Sequence, residues 1–272
     1  MMPFTVCLSV YNNDKPDEFL MAVRSIWSQT VQPNEIVLVV DGPIPSSIDD
    51  AISVLLGEIS VLKVIRLEKN SGHAVARQTG LDAASNNFCA VMDSDDISVP
   101  ERFEKQLLAF EKHPEVSVVG GIINEFIGET TNVVGTRVVP ENDAEIKQYM
   151  QSRCPMNLVT VMLKKDEVMK VGGYQDWYCE EDYYLWLRLA LGGYCFYNIQ
   201  ENLVNVRVGK EMYQRRGGKK YFQSEARLQK YMYKNKIIGL PRYIFNISIR
   251  FIIQVLMPNK VRGWVFQKFA RS

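Results

Sequence analysis

The chain alternates short continuous apolar runs with stretches whose apolar residues recur every three or four positions. Phe4–Val10, Glu35–Val40, residues 62–67 and Phe88–Met92 are runs of the first kind, rich in β-branched residues and bounded by polar turns. They predict strands buried on both faces. Between them Phe19, Leu20, Val23, Ile26 and Trp27 fall on a 3.6-residue period, which predicts a helix over 17–30, and further helices are expected at 48–56 and 73–84. Strands alternating with helices imply an α/β fold with a mostly parallel central sheet and helices on both faces.

Beyond residue 96 the pattern predicts helices at 101–112 and 183–191, a helix opening at Pro140-Glu141-Asn142-Asp143, and a short one at 165–171 that stops at Gly172-Gly173. Strands are expected at 116–123, 128–139 and 157–163. Residues 243–257 are strongly apolar but are interrupted by Arg250 and Gln254. Neither half approaches the roughly 20 residues that span a bilayer. Two descriptions stay open: a helix lying in a membrane interface, flanked by Arg242, Lys260, Arg262, Lys268 and Arg271, and a core helix covering the body of the protein. The expected organisation is a catalytic domain at 1–206, divided into a nucleotide-binding half (1–96) and an acceptor half (97–206), with a basic helical extension at 207–272.

Chemistry concentrates where the strands end. The run Phe88-Cys-Ala-Val-Met92 terminates in Asp93-Ser94-Asp95-Asp96, so a buried strand delivers carboxylates to its own C-terminal end. That edge is where ligands sit in an open α/β sheet. Residues two apart in extended backbone point the same way, so Asp93 and Asp95 share a side while Ser94 faces away. Paired carboxylates suit a hard divalent cation, Mg²⁺ above all, completed by substrate phosphates. A plain acidic turn with Asp96 capping the next helix is the alternative. Two other strand ends carry candidate ligands, Tyr11-Asn12-Asn13 and Asp41. Glu180-Glu181-Asp182 stands before an apolar helix, where carboxylates also serve as simple caps. No dinucleotide glycine fingerprint or P-loop occurs.

Composition narrows the classes. With 47% apolar residues the 272-residue chain can build a sizeable core. Only two histidines occur, His73 and His113, which excludes a His-rich zinc site. Five scattered cysteines (Cys7, Cys89, Cys154, Cys179, Cys195) read as reduced packing residues of a cytosolic protein. The Met-Met-Pro-Phe-Thr-Val start lacks a secretion signal, so export is not expected. The net charge of +1 conceals an asymmetry: 16 Lys and Arg against 29 Asp and Glu in residues 1–206, but 16 against 2 in residues 207–272. The last quarter is therefore expected to face something anionic, a membrane surface or a polyanion, unless it is simply a solvated helical face. Acidic strand ends repel a phosphate backbone and no nucleic-acid motif occurs, so no nucleic-acid partner is expected.

Taken together, the chain resembles family 2 glycosyltransferases. The likeness rests on Val10-Tyr11-Asn12, the run Ser25 to Thr30, Glu35 to Gly42, Asn70-Ser71-Gly72 with Ala76-Arg77, Asp93 to Asp96 with Pro100 and Arg102, Gly172-Gly173-Tyr174, and Glu181-Asp182 leading into Leu185 to Arg188. Asp41-Gly42-Pro43, Arg102 to Gln106 and Arg215-Arg216-Gly217-Gly218 resemble the branch of bacterial exopolysaccharide and capsule assembly.

That resemblance implies an A-type nucleotide-diphospho-sugar transferase fold and a metal-dependent, inverting transfer from a UDP-sugar to a lipid-linked or polysaccharide acceptor. It places such an enzyme in the cytoplasm, peripheral at the inner face of the plasma membrane. It implies that Tyr11, Asn12, Asp41, Gly72, Arg77, Asp93 and Ser94 bind the nucleotide sugar, that Asp93 and Asp95 hold Mg²⁺ or Mn²⁺, and that Asp182 is the catalytic base with Glu181 beside it. Arg207, Arg215 and Arg216 would contact the diphosphate or the acceptor. Two positions depart from the pattern: Leu158 where a histidine is common, and Tyr184 where an acid is frequent. A sugar nucleotidylyltransferase and an inactive nucleotide-sugar-binding scaffold are the competing readings.

Overall fold

The computed structural model describes residues 2–209 and 217–257. Strands β1 (Phe4–Val10), β2 (Glu35–Val40), β3 (Leu62–Arg66) and β4 (Phe88–Met92) lie parallel in the order β3-β2-β1-β4. They are connected by helices α1 (Pro16–Trp27), α2 (Ser46–Glu58) and α3 (His73–Ala83). Alternate side chains of each strand enter different cores. Val6, Leu8, Ile36, Leu38, Ala90 and Met92 join the core that contains Phe19 and Val23 of α1 and Ile48 and Leu55 of α2. Cys7, Val37, Val39, Cys89 and Val91 join the core that contains Ala76 and Leu81 of α3. The unbroken apolar runs follow from this, since a strand covered on both faces has no solvated side.

The sheet continues through β8 (Met162–Lys164), antiparallel to β4, then β6 (Val116–Phe126), β9 (Cys195–Arg207) and the two-residue β5 (Ile97–Ser98), with β7 (Val133–Arg137) paired to β6, nine strands among the described residues. Helix α4 (Arg102–Lys112) covers the first core through Phe103, Leu107 and Phe110. The second core takes Ile146 of α5 (Asp143–Tyr149), Val168 of α6 (Lys165–Lys170) and much of α7 (Glu181–Leu191).

The expected strand over 157–163 divides into a 3-10 turn, Leu158–Thr160, followed by β8. Its side chains explain the break: Asn157 Nδ2 donates to the Gly121 carbonyl (2.8 Å) and Thr160 Oγ1 to the Asn157 carbonyl (2.7 Å), bonds that compete with a ladder. Asp96 does not cap α4, because its Oδ1 accepts the Arg207 backbone N–H at 2.9 Å. Helix α7 begins at Glu181, so Glu181 and Asp182 lie inside its first turn. The sequence pattern did not mark β5 or β9. The latter is interrupted by polar Gln200-Glu201-Asn202 and is held by its parallel pairing with β6. After residue 217 come α8 (Lys219–Lys234), α9 (Leu240–Phe251) and a π-helical turn, Ile252–Leu256.

Candidate active site

Side-chain alternation carries past the end of β4. Asp93 and Asp95 are partly exposed while Ser94 and Asp96 are buried. On the buried side Ser94 Oγ donates to Asp14 Oδ2 (2.9 Å), which also accepts the Tyr11 backbone N–H (3.0 Å). Ser94 thus fastens the loop after β4 to the loop after β1. Asp14 is not among the expected site residues, because its role depends on Ser94, 80 positions away in the sequence. The Tyr11 ring meets His73 edge-on, with centroids 6.5 Å apart, and Asn12 is exposed.

Asp41, at the end of β2, is buried. Its Oδ1 accepts the Ser71 N–H (2.7 Å) and its Oδ2 the Gly72 N–H (3.0 Å), so the carboxylate holds the entrance to α3. Each oxygen keeps a second acceptor site. Two glycines make this approach feasible. Gly42 has φ +87°, and a Cβ there would collide with the backbone nitrogen of Asn70; Gly72 also has φ +87°.

One turn further along α3, Arg77 bridges two carboxylates, one 16 and the other 104 positions away in the sequence. Its Nη2 lies 3.2 Å from Asp93 Oδ1 and its Nη1 2.5 Å from Glu181 Oε1. Burial pulls the guanidinium pKa down, but the Asp93 and Glu181 charges outweigh it and hold the group above the usual arginine value. Tyr174 closes the arrangement: its N–H donates to Gln78 Oε1 of α3 (2.6 Å) and its buried phenol is raised by desolvation. Helix α3 therefore connects three of the expected site elements, Asp41 at its N-terminus, Asp93 and Glu181 through Arg77.

Asp182 stands beside this bridge but outside it. Its Oδ1 takes the Tyr183 N–H (2.6 Å), and Oδ2 lies 3.8 Å from Cys154 Sγ. Burial, then the neighbouring Glu181 charge, push its carboxyl up to about 6, against the opposing pull of Arg77. Cys154, expected only as a packing residue, and Arg137, which donates from Nη2 to the Cys154 carbonyl (2.7 Å), border Asp182. Nothing in the sequence marks them, since only the turn from β7 back to residue 154 brings them there. The two departures from the family pattern also have places: Leu158 opens the 3-10 turn, and Tyr184 packs on Trp177 (4.4 Å) with the Arg188 guanidinium over its ring at 4.5 Å.

Arg207, the last residue of β9, lies against the acidic loop. Its Nε donates to the Asp95 carbonyl (3.2 Å), its Nη1 to the Gly128 carbonyl (3.1 Å), and its guanidinium covers Phe126. Arg215 and Arg216 lie outside the described residues.

The donor set fits a divalent cation only if a ligand completes it. Among the described residues no three His, Cys, Asp or Glu side chains form a closed cage. Yet burial and then the charges of Asp93 and Asp14 push Asp95 up to about 6, and burial with Asp95 and Asp93 raises Asp96. Carboxylates crowded so closely that Arg77 and Arg207 leave Asp95 and Asp96 raised are an environment that a hard ion with phosphate oxygens would relieve.

This architecture is that of the A-type glycosyltransferases. It superimposes on S. aureus TarS 1–349 in complex with UDP-GlcNAc (TM-score 0.67, 15% identity, 98% of this chain and 79% of that one). It also superimposes on the mannosyltransferase PcManGT of Pyrobaculum calidifontis in complex with GDP-Man and Mn²⁺ (TM-score 0.62, 15% identity, 96% and 72%). The profile of Glycosyl transferase family 2 matches residues 5–173, and the chain belongs to that family. It is 36% identical to the amylovoran biosynthesis glycosyltransferase AmsE of Erwinia amylovora, over 97% of this chain and 98% of the relative. It is 34% identical to the UDP-Gal:alpha-D-GlcNAc-diphosphoundecaprenol beta-1,3-galactosyltransferase of Escherichia coli, over 98% and 96%. The protein is a glycosyltransferase related to enzymes of bacterial polysaccharide and lipid-linked sugar assembly.

Proposed function

We propose that this enzyme moves a sugar from a UDP-sugar to a lipid-linked, diphosphate-bearing saccharide, with inversion at the anomeric carbon, at the inner face of a bacterial plasma membrane. The observation that carries the reading is the Arg77 bridge between Asp93 and Glu181, which sets the loop after β4 beside the first turn of α7. The Escherichia coli relative, named for a UDP-Gal donor and a diphosphoundecaprenol-linked acceptor, supports the substrate classes.

In this reading Asp182 takes the proton of the acceptor hydroxyl as that oxygen bonds to C1 of the sugar. The bond from C1 to the diphosphate oxygen breaks, and the nucleoside diphosphate leaves with the electron pair. Glu181 cannot share the base role while it is paired with Arg77, and its charge raises Asp182 toward working pH. A double displacement would need a second carboxylate free to bond C1, and the paired Glu181 is a poor candidate for it. Asp93 and Asp95 would hold Mg²⁺ or Mn²⁺, which when bound neutralises charge on the departing diphosphate. Tyr11, Asn12, Gly72 and the remaining acceptor sites of Asp41 would receive the nucleoside, Ser94 would support them through Asp14, and Arg207 would face the diphosphate.

Hydrolysis and transfer assays over a panel of nucleotide sugars, with and without Mn²⁺, test the proposal. Cleavage of a UDP-sugar that depends on the ion is expected. Failure to cleave any donor would refute it.

A further inference from the structure

Helix α9 is amphipathic the wrong way round. Its polar residues face the body: Asn246, Arg250 and, in the π turn, Gln254 recur at four-residue intervals, and Asn246 and Gln254 are buried. Asn246 Nδ2 donates to the Gln151 carbonyl (2.9 Å) and to Gln229 Oε1 of α8 (2.7 Å). Arg250 pairs with Glu225 of α8, and its Nη2 donates to the Ser152 carbonyl at 2.7 Å. The opposite face is apolar and exposed. Phe245 is 61% accessible, Ile244 55%, Ile252 47% and Leu256 63%. A surface helix ordinarily buries its apolar stripe and solvates its polar one. Here the inner stripe is committed to specific hydrogen bonds, and among the described residues nothing covers the outer one.

The surrounding charge identifies what covers it. Residues 217–257 hold eight basic side chains and one acid, and that acid, Glu225, is spent on Arg250. Lys219, Lys220, Lys230, Lys234, Lys236 and Arg242 are exposed. A second copy of the chain would bring this basic rim against its like. An anionic lipid surface offers an apolar layer beneath negative headgroups and matches both features. Among the described residues no helix is long and apolar enough to cross a membrane, which leaves a helix lying in the interface.

Resting on the proposed use of a lipid-linked acceptor, we propose that the outer face of α9 and its π turn, Ile244, Phe245, Ile252 and Leu256, is the membrane-inserting surface. The inner polar stripe then couples that surface to the site: the segment whose Gln151 and Ser152 carbonyls anchor α9 continues to Cys154, beside Asp182. The bilayer is thereby held against the acceptor side of Asp182, the proposed base.

The test is co-sedimentation of the full chain and of a Phe245→Glu/Ile252→Glu double variant with vesicles of phosphatidylglycerol and phosphatidylethanolamine, and with neutral phosphatidylcholine vesicles. Both substitutions are at exposed positions, and an unchanged melting temperature verifies the fold. The wild type should bind the anionic vesicles, and two charges placed in the inserting face should weaken that binding roughly tenfold or more. Transfer to a short-chain, water-soluble acceptor should be unchanged in the variant. Vesicle binding that survives the substitutions, or a wild type that ignores anionic vesicles, overturns the proposal. So does a wild-type dimer in analytical ultracentrifugation that the variant abolishes, because the face would then belong to a second copy. Vesicle binding is read without any donor, so its outcome is independent of whether the transferase reading stands.

Discussion

The Arg77 guanidinium sits 2.5 Å from Glu181, a contact between residues 104 positions apart that joins the first α3 turns to the start of α7. Both side chains are only 11% accessible. A buried pair of this kind is costly to break from one side, because the survivor keeps its charge without its partner.

Arg77→Ala should therefore destabilise the protein by roughly 3–5 kcal/mol and collapse transfer. A double replacement, Arg77→Met with Glu181→Leu, should recover much of the melting temperature and none of the activity. Thermal melts beside transfer rates separate the two effects. Recovery of activity in the double variant would show that the bridge is structural only.

Asp182→Asn should lower transfer by about 10²–10⁴-fold while nucleotide binding, read by calorimetry, persists. A base must be unprotonated, so wild-type kcat/KM should climb as pH rises through about 6 and level off above it. The folded pKa lies above the ordinary value of about 3.9, so the native chain holds this proton more tightly than the unfolded one. That contribution to stability is complete below the unfolded pKa and is lost as pH rises through about 6. Asp182→Asn should thus lose less melting temperature than the wild type between pH 5 and pH 8.

Chelation with EDTA should abolish transfer, and Mn²⁺ or Mg²⁺ should restore it. Asp95→Asn should remove the dependence along with the activity. Binding of the ion with a nucleoside diphosphate should raise the melting temperature, since it relieves crowding among Asp14, Asp93, Asp95 and Asp96. Full activity in EDTA would remove the metal from the mechanism.

Gly42→Ala should cost roughly 1–3 kcal/mol, for its φ of +87° is strained in any L-residue and its Cβ meets the Asn70 backbone. The displaced loop would loosen Asp41 from Ser71 and Gly72, so the Kd for UDP should rise with the loss of stability. A tight binder with a normal melting temperature would detach this turn from the nucleotide site.

The sequence alone determined the parallel half of the sheet. Strands covered on both faces need uninterrupted apolar runs, and Glu35–Val40 and Phe88–Met92 have the predicted bounds. It also determined that Asp93 and Asp95 share a side, because strand alternation is local geometry and extends one step past β4. The tertiary structure decided the rest, through contacts between residues far apart in sequence. Strand β9 exists because β6 pairs with it across some 80 positions, despite its polar interruption. Arg77 became a bridge only when α7 folded against α3, and Asp182 acquired a raised pKa only through its burial beside Glu181. In α9 the tertiary structure settled which stripe turns inward. Arg250 and Gln254 break an apolar run in the sequence, and their meaning depends on carbonyls at 151–152 and on Glu225, which no local pattern can supply.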